Sequence, residues 1–412
     1  MKKLNLPRNL IALLTMMIFG NASERIIFPL FALVFFDLHS HLLASDTSHI
    51  TRSYWYGICM AIPSIATFIA APVLSCLSDF YGRKKLLMIS LSGTMVAGLI
   101  TSAAILSSSI YLFIFGVFVQ GLFCRTNPLA QAVVGDIETG KNKFSTMGYL
   151  QSMIAFGAFL GPIIGGYCAQ LYFAQINFTA PFLLSAILSA IGILICCFFF
   201  KETLVTPHKT LSLRLMFGSV FLFKETLGLA ALLACGQFTW SLYYQYVPAA
   251  LKLTNQFSAG TIGLFVGMMA FWVTLGSSLG IRLLRDRFNL FSCLKIGLLL
   301  QCLGGILIVI AFYIHVSWLI WLSSVPAATG DVIAFGVLST MYSNRYPHQQ
   351  GQAMGACYLN AALIWTVTGL LGGGLIALHS ILPLIIAPFG VVLALSYLNK
   401  WLKPTGKTNA VY

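Results

Sequence analysis

The chain has 412 residues, with 24 Lys+Arg against 10 Asp+Glu (net charge +14), 58% hydrophobic residues and only 8% charged ones. Soluble domains carry roughly 25% charged residues, so this composition, with a mean hydropathy of +0.89, excludes a water-soluble globule. Apolar runs near the ~20 residues that cross ~30 Å of hydrocarbon recur along the chain, and the fold class they predict is an all-α polytopic membrane protein.

Taken in chain order, the runs and their breakers predict twelve spans: 9–36, 54–78, 86–106, 110–134, 146–172, 180–200, 225–250, 260–283, 293–314, 317–343, 351–378 and 382–400. The basic stretch Met1–Arg8 resembles the start of a signal peptide. The run behind it continues to Phe36 with no small-residue cleavage site, so it reads as a retained first helix. Connections are short except 37–53 and 201–224. The latter, with Lys201, Glu202, Lys209, Arg214 and Lys224, reads as a cytoplasmic linker joining bundle 1–200 to bundle 225–412.

Charge placement supports this map. With both termini cytoplasmic, the inner side collects Lys2, Lys3, Arg8, Arg83 to Lys85, the linker, Arg282, Arg285, Arg287, Lys295, Arg345 and Lys400, while Arg52 and Lys252 fall outside. Basic residues dispersed over short loops are topology, not a nucleic-acid surface. The expected setting is a bacterial inner membrane, with the chain acting as a monomer. The ten cysteines fall in or beside apolar runs and read as small lipid-phase hydrophobes.

The two halves echo each other at an almost constant offset. Leu77-Ser78-Asp79-Phe80-Tyr81 matches Leu284-Arg285-Asp286-Arg287-Phe288, and Met147-Gly148 matches Met354-Gly355. Gly161-Pro162-Ile163-Ile164-Gly165-Gly166 matches Gly369-Leu370-Leu371-Gly372-Gly373-Gly374. Repeated six-span units are how many secondary transporters are built, with the substrate site between them at mid-membrane.

Ser75-Cys76-Leu77-Ser78-Asp79-Phe80-Tyr81-Gly82-Arg83-Lys84-Lys85 resembles the loop 2–3 signature of the major facilitator superfamily, G-x-L-x-D-r-x-G-r-k, with Ser75 in place of the first glycine. The resemblance implies two pseudo-symmetric six-helix bundles and a cytoplasmic gate network of Asp79, Gly82, Arg83 and Asp136. Gly157, Gly161, Pro162, Gly165 and Gly166 in span 5 resemble the G-x-x-x-G-P-x-x-G-G packing motif of the drug:proton antiporter branch, which includes tetracycline-efflux-like proteins. Small residues there let helices approach closely. That branch also carries R-x-x-Q-G in span 4. Gln120-Gly121 is present, but Val117 stands where the arginine would be, and Arg125 lies two turns on.

Four ionisable residues fall inside spans: Glu24 and Arg25 in span 1, Arg125 in span 4 and Asp331 in span 10. Each costs roughly 2.5 to 3.5 kcal/mol at mid-bilayer, so they must pair or face water. The resemblance implies that spans 1, 4, 7 and 10 line a central cavity. Gln237, Trp240, Tyr244 and Gln245 share one face of span 7, and Gln120, Cys124, Asn127 and Gln131 share one of span 4. The candidate substrate contacts are therefore Arg25, Gln120, Arg125, Asn127, Gln237, Trp240, Tyr244 and Asn360. Glu24 and Asp331 are the candidate proton carriers, since an unpaired carboxyl in a low-dielectric site holds its proton more readily. Two ion pairs that merely lock helices together remain the alternative.

His39, His41, His49 and Asp46 share one loop without a metal-site spacing, and no Walker-type glycine loop occurs; no metal, cofactor or ATP is expected. The expectation is a secondary active transporter, not an enzyme; the resemblance implies proton coupling and efflux of an amphipathic compound. Its partners are a small-molecule substrate, protons and the lipid bilayer. Transport of an anionic metabolite such as a carboxylate-type siderophore is the alternative, and a polytopic membrane enzyme is the different class.

Overall fold

The computed structural model describes residues 8–37, 40–124, 126–137, 140–170, 178–204, 227–285, 287–345 and 350–401, of which 71, 72, 75, 76, 79, 140–145, 285, 350–353 and 399–401 are described by backbone alone. The described chain forms twelve spans. Span 1 is Arg8–Ile26 plus Leu30–Phe36, span 2 His49–Tyr81, span 3 Arg83–Leu106, and span 4 Ile110–Phe123 plus Thr126–Ile137. Spans 5 to 7 are Gly140–Cys168, Ala180–Phe199 and Leu227–Asn255. Span 8 runs from Ala259 to Arg285 through a π-helical turn at Gly276–Gly280. Spans 9 to 12 are Leu290–Tyr313, Ser317–Arg345, Gln350–Leu378 and Leu382–Trp401. Ten of these helices are long and apolar enough to cross a bilayer by length and composition among the described residues. The linker predicted at 201–224 lies outside the described residues beyond Leu204.

Both helix breaks lie next to a proline, though not every proline breaks its helix. Pro29 has no N–H to donate, and span 1 interrupts its helix in a turn over Ile27–Pro29, immediately after Arg25. Span 4 stops at Cys124 and restarts at Thr126, two residues before Pro128. Pro248 and Pro326, by contrast, sit inside continuous helices in spans 7 and 10.

Buried apolar side chains divide in a way that fixes the shape. One cluster joins both halves, combining Phe31, Phe35, Tyr56 and Phe113 with Tyr246, Val247, Phe265 and Ile320. Two further clusters stay within single halves: Leu13, Leu87, Val133 and Cys196 in the first, Leu233, Leu294, Tyr342 and Leu398 in the second. The shared core lies at the end of the bundle away from Arg8 (the far end). The separate cores lie at the end where span 1 begins (the near end).

Glycine builds the far-end seam. Lipid tails are as apolar as leucine, so helices associate in a bilayer through close packing rather than the hydrophobic effect. A Cβ on Gly57 of span 2 would sit 2.6 Å from the Gly373 Cα of span 11, and one on Gly369 would sit 2.7 Å from the Ala61 nitrogen. Across the pseudo-symmetric seam, a Cβ on Gly263 of span 8 would meet the Pro162 carbonyl and Gly166 of span 5. Tyr56 donates to the Gln245 carbonyl at 2.5 Å and Lys252 pairs with Asp37 at 2.5 Å, both across the halves.

Because a Cβ here has no room, Gly57→Val should destabilise the protein by ~1–3 kcal/mol, the usual cost of overpacking. It should also open the far end, letting a membrane-impermeant maleimide reach the now buried Cys59, as read by peptide mass spectrometry. Gly148→Val, where a Cβ meets nothing within 4 Å, should leave labelling and melting unchanged.

Candidate functional site

The breaks in spans 1 and 4 meet at one level. Thr126, the first residue after the break in span 4, donates from its hydroxyl to Glu24 Oε1 at 3.0 Å. Gln120, in the last turn before that break, donates to the Glu24 backbone carbonyl at 3.3 Å. A carboxylate beside a helix N-terminus is favourably placed, so the restart of span 4 helps to hold Glu24 buried. Asn21, one turn earlier, donates to Asn127 Oδ1 at 2.8 Å.

Arg25, a step of about 100° round the helix from Glu24, stays exposed to the interior space beside Tyr244 and Cys124. It lines a cavity of about 230 Å³ with Glu24, Phe28, Gln120, Tyr244 and Trp365. Aromatic rings form one wall: Phe28 and Tyr244 centroids lie 4.4 Å apart, and Tyr244 and Trp365 5.7 Å. Trp240 packs behind Tyr244 at 5.4 Å.

Asp331 occupies a separate polar cluster. It accepts at Oδ1 from Gln237 Nε2 (2.9 Å) and from Gln301 Nε2 (3.0 Å), and no cation lies within ion-pair distance among the described residues. Trp365 ties this cluster to the cavity by donating from Nε1 to Gln237 Oε1 at 2.9 Å. The π-helical turn of span 8 abuts it, since a Cβ on Gly276 would meet Thr329 and Val332 on either side of Asp331.

Of the residues expected from sequence, Glu24, Arg25, Gln120 and Tyr244 line the cavity. Gln237 and Asp331 adjoin it through Trp365. Asn127 binds Asn21, and Asn360 is buried, donating to the Ala230 carbonyl at 2.8 Å. Arg125 lies outside the described residues, as does the side chain of Asp79. Sequence reasoning missed the contribution of span 2: Cys59, Met60, Pro63, Ser64 and Thr67 also line the cavity. Their helical spacing and small or polar character were the available signal. It also missed Gln301, a lone amide in an otherwise apolar run.

In the span 5 motif, Cβ atoms on Gly157, Gly161 and Gly165 would meet the backbone of span 1 at Ile18, Ala22 and Ile26, while Gly166 faces Ala259 of span 8. Pro162 supplies the carbonyl that Gly263 approaches.

At the near end Arg83 is buried, with Nε 2.9 Å from Asp136 Oδ2 and Nη1 donating to Ser78 at 2.6 Å. Gly82 adopts φ +101°, a conformation that favours glycine. Its lack of a Cβ admits the Glu202 carboxylate, which accepts from the backbone N–H groups of Arg83 (2.9 Å), Lys84 (3.0 Å), Thr203 (2.9 Å) and Leu204 (3.0 Å). Partial burial pushes the Glu202 carboxyl up, but these four amides together outweigh it and hold it below its ordinary value.

Two six-helix bundles whose apolar core is shared at one end and divided at the other, around a cavity lined by Glu24 and Arg25, define an integral membrane transporter. The chain belongs to the Major Facilitator Superfamily, whose family model matches residues 11–369. It is 28% identical over 311 residues to a class C tetracycline resistance protein of Escherichia coli, covering 73% of this chain and 74% of that protein. It is 27% identical over 154 residues to a staphyloferrin B transporter of Staphylococcus aureus, covering 37% and 34%. Among solved structures, a D-xylose-proton symporter superposes with a TM-score of 0.72 at 16% identity, covering 94% of this chain and 96% of that one. The human organic anion transporter MFSD10 gives 0.67 at 16% identity, covering 95% and 99%.

A carboxyl held below its ordinary value stabilises the fold above its unfolded pKa and loses that contribution as pH falls through the folded one. The melting temperature of the wild type should therefore fall more steeply than that of Glu202→Gln on acidification below the ordinary glutamate value of 4.5. The two should differ by a constant offset at neutral pH, as read by thermal unfolding in detergent.

Proposed function

We propose that the protein is a proton-coupled secondary transporter that expels an amphipathic small molecule by alternating access. The carrying observation is the Glu24–Arg25 pair at the break of span 1, lining a cavity whose surrounding core is shared at the far end and divided at the near end. The protein works as a monomer in a bacterial inner membrane with both termini cytoplasmic. Bundles 1–200 and 225–412, joined by a 201–224 linker, rock about the cavity. The structure then corresponds to the state open to the cytoplasm. Reversal would part the glycine seam and close the near end, where Asp79, Gly82, Arg83 and Asp136 form the latch.

Asp331 is the coupling acid. Its hydrogen-bond donors are neutral amides, so a proton is the simplest neutralising partner for a carboxylate in a membrane interior. Trp365 and Gln237 link it to the aromatic wall, so protonation and substrate occupancy can act on the same side chains. Glu24 is the second acid of the site. Gln120 and Tyr244, with Arg25 and Arg125, contact substrate; Asn127, Trp240 and Asn360 support those contacts.

Export or import of an anionic metabolite, such as a carboxylate-type siderophore, is the second reading. The exposure of Arg25 in the cavity favours it, and so does the name of the staphyloferrin B relative. Counterflow in proteoliposomes with matched anionic and cationic substrates separates the two. Preference for the anion that disappears in Arg25→Gln selects the second reading; indifference to that exchange removes it.

Under an imposed pH gradient, Asp331→Asn should abolish uphill flux while leaving substrate exchange intact. Full uphill transport in that variant would reject Asp331 as the coupling acid.

A further inference from the structure

A second cleft, of about 500 Å³, lies between spans 3 and 4, away from the central cavity. Its walls on span 3 are Lys85, Met88, Ile89, Ser92, Gly93 and Val96, with Val119 and Phe123 facing them from span 4. Lys85, Met88, Ser92 and Val96 are three or four residues apart, with Ile89 and Gly93 beside them, so the span 3 residues form a single stripe along the helix. Ile89 and Val96 are 38% and 42% exposed, which in a membrane helix means exposure to lipid. At 1.5 Å per residue, Lys85 to Val96 covers about 16 Å. That is about half of the ~30 Å hydrocarbon thickness, or the depth of one leaflet.

The cleft is charged at its mouth and apolar beneath. Lys85 is exposed and takes part in no ion pair among the described residues, its ammonium resting 5.0 Å over the Tyr81 ring. Lys84 is engaged with the Cys197 carbonyl at 3.0 Å, and Arg83 with Asp136, so Lys85 is the cation left for an outside ligand. An amphiphile with an anionic head and one leaflet's length of apolar tail matches this charge and this length. We propose that the cleft is a binding site for an anionic phospholipid of the near-end leaflet, with its phosphate at Lys85 and one acyl chain lying along Met88, Ser92 and Val96 against Phe123.

The floor of the cleft connects to the transport machinery. Gly93 has no room for a Cβ because the Phe123 ring fills that space. Ser90 donates to the Phe123 carbonyl. Phe123 is the last helical residue before the break in span 4, and Cys124, next to it, lines the central cavity. A chain packed on Phe123 therefore stabilises the present arrangement of that break.

Native mass spectrometry of the delipidated full-length protein, titrated with phosphatidylglycerol or with phosphatidylcholine of identical acyl chains, tests the site. Phosphatidylglycerol should bind about fivefold more tightly, the equivalent of ~1 kcal/mol for a basic residue at an anionic surface. Lys85→Gln should reduce it to the phosphatidylcholine level, and Ser92→Trp, which fills the cleft, should remove binding of both. Val96→Phe, at a lipid-exposed position, provides a second filler should the tryptophan variant fail to fold. Equal affinity for the two lipids, selectivity that survives Lys85→Gln, or binding that survives a folded filler variant would each overturn the proposal. Competition by glycerol phosphate alone would overturn the acyl-chain part, since it would mean that the headgroup suffices.

Discussion

The structure depends on backbone meeting backbone between its two halves. A bilayer offers no hydrophobic force to press one apolar helix onto another, so contact there comes from packing, and packing is closest where side chains are missing. Gly57 on Gly373 and Gly263 on Gly166 give two such seams, one for each pairing of a helix with its opposite number across the bundle. Where glycine meets glycine the helices touch through backbone, and large side chains that cross the halves, such as Tyr56 against Tyr246, pack beside these contacts.

Closing one end confines the polar chemistry to the middle. Glu24 and Arg25 would each be costly in hydrocarbon, yet they occupy adjacent positions where span 1 loses its helix and span 4 restarts its own. The break serves both charges. It turns a helix N-terminus and the Thr126 hydroxyl towards Glu24, and it leaves Arg25 facing the cavity. Irregular backbone at membrane depth is tolerated only where it lines such a space, so the break and the cavity imply each other.

The sequence made some of this legible. Twelve apolar runs give twelve spans because hydrocarbon thickness leaves little freedom in helix length. The matched blocks at Gly161–Gly166 and Gly369–Gly374 each contribute to a seam, through Pro162 and Gly166 against span 8 and through Gly369 and Gly373 against span 2, while Gly161 and Gly165 pack on span 1. The breaks were less legible: Pro29 and Pro248 look alike in sequence, yet the first ends a helix and the second does not. A proline breaks a helix only where neighbouring groups satisfy the freed carbonyls some other way, and that is a tertiary property. For the same reason, intramembrane position alone did not distinguish the carboxyl that lines the cavity, Glu24, from the one set behind it, Asp331. The amides that hold Asp331 come from spans 7 and 9, 94 and 30 residues earlier in the chain.

In the proposed cycle, that separation of the two carboxyls gives the pseudo-symmetric halves unequal roles. The first half has both broken spans and the exposed cation, so its geometry favours contact with a charged ligand. The second keeps spans 7 and 10 continuous and surrounds Asp331 with neutral amides, an environment that responds to gain or loss of a proton more than to a ligand's shape. Trp365 links the cavity to Asp331. Its ring faces Tyr244 in the cavity while its N–H holds Gln237, the amide that in turn holds Asp331. A ligand that displaces the ring must disturb that amide, and a change in the charge of Asp331 must pull on it. In the proposed cycle, coupling between the two events therefore needs no charge-to-charge contact, only one side chain shared by both.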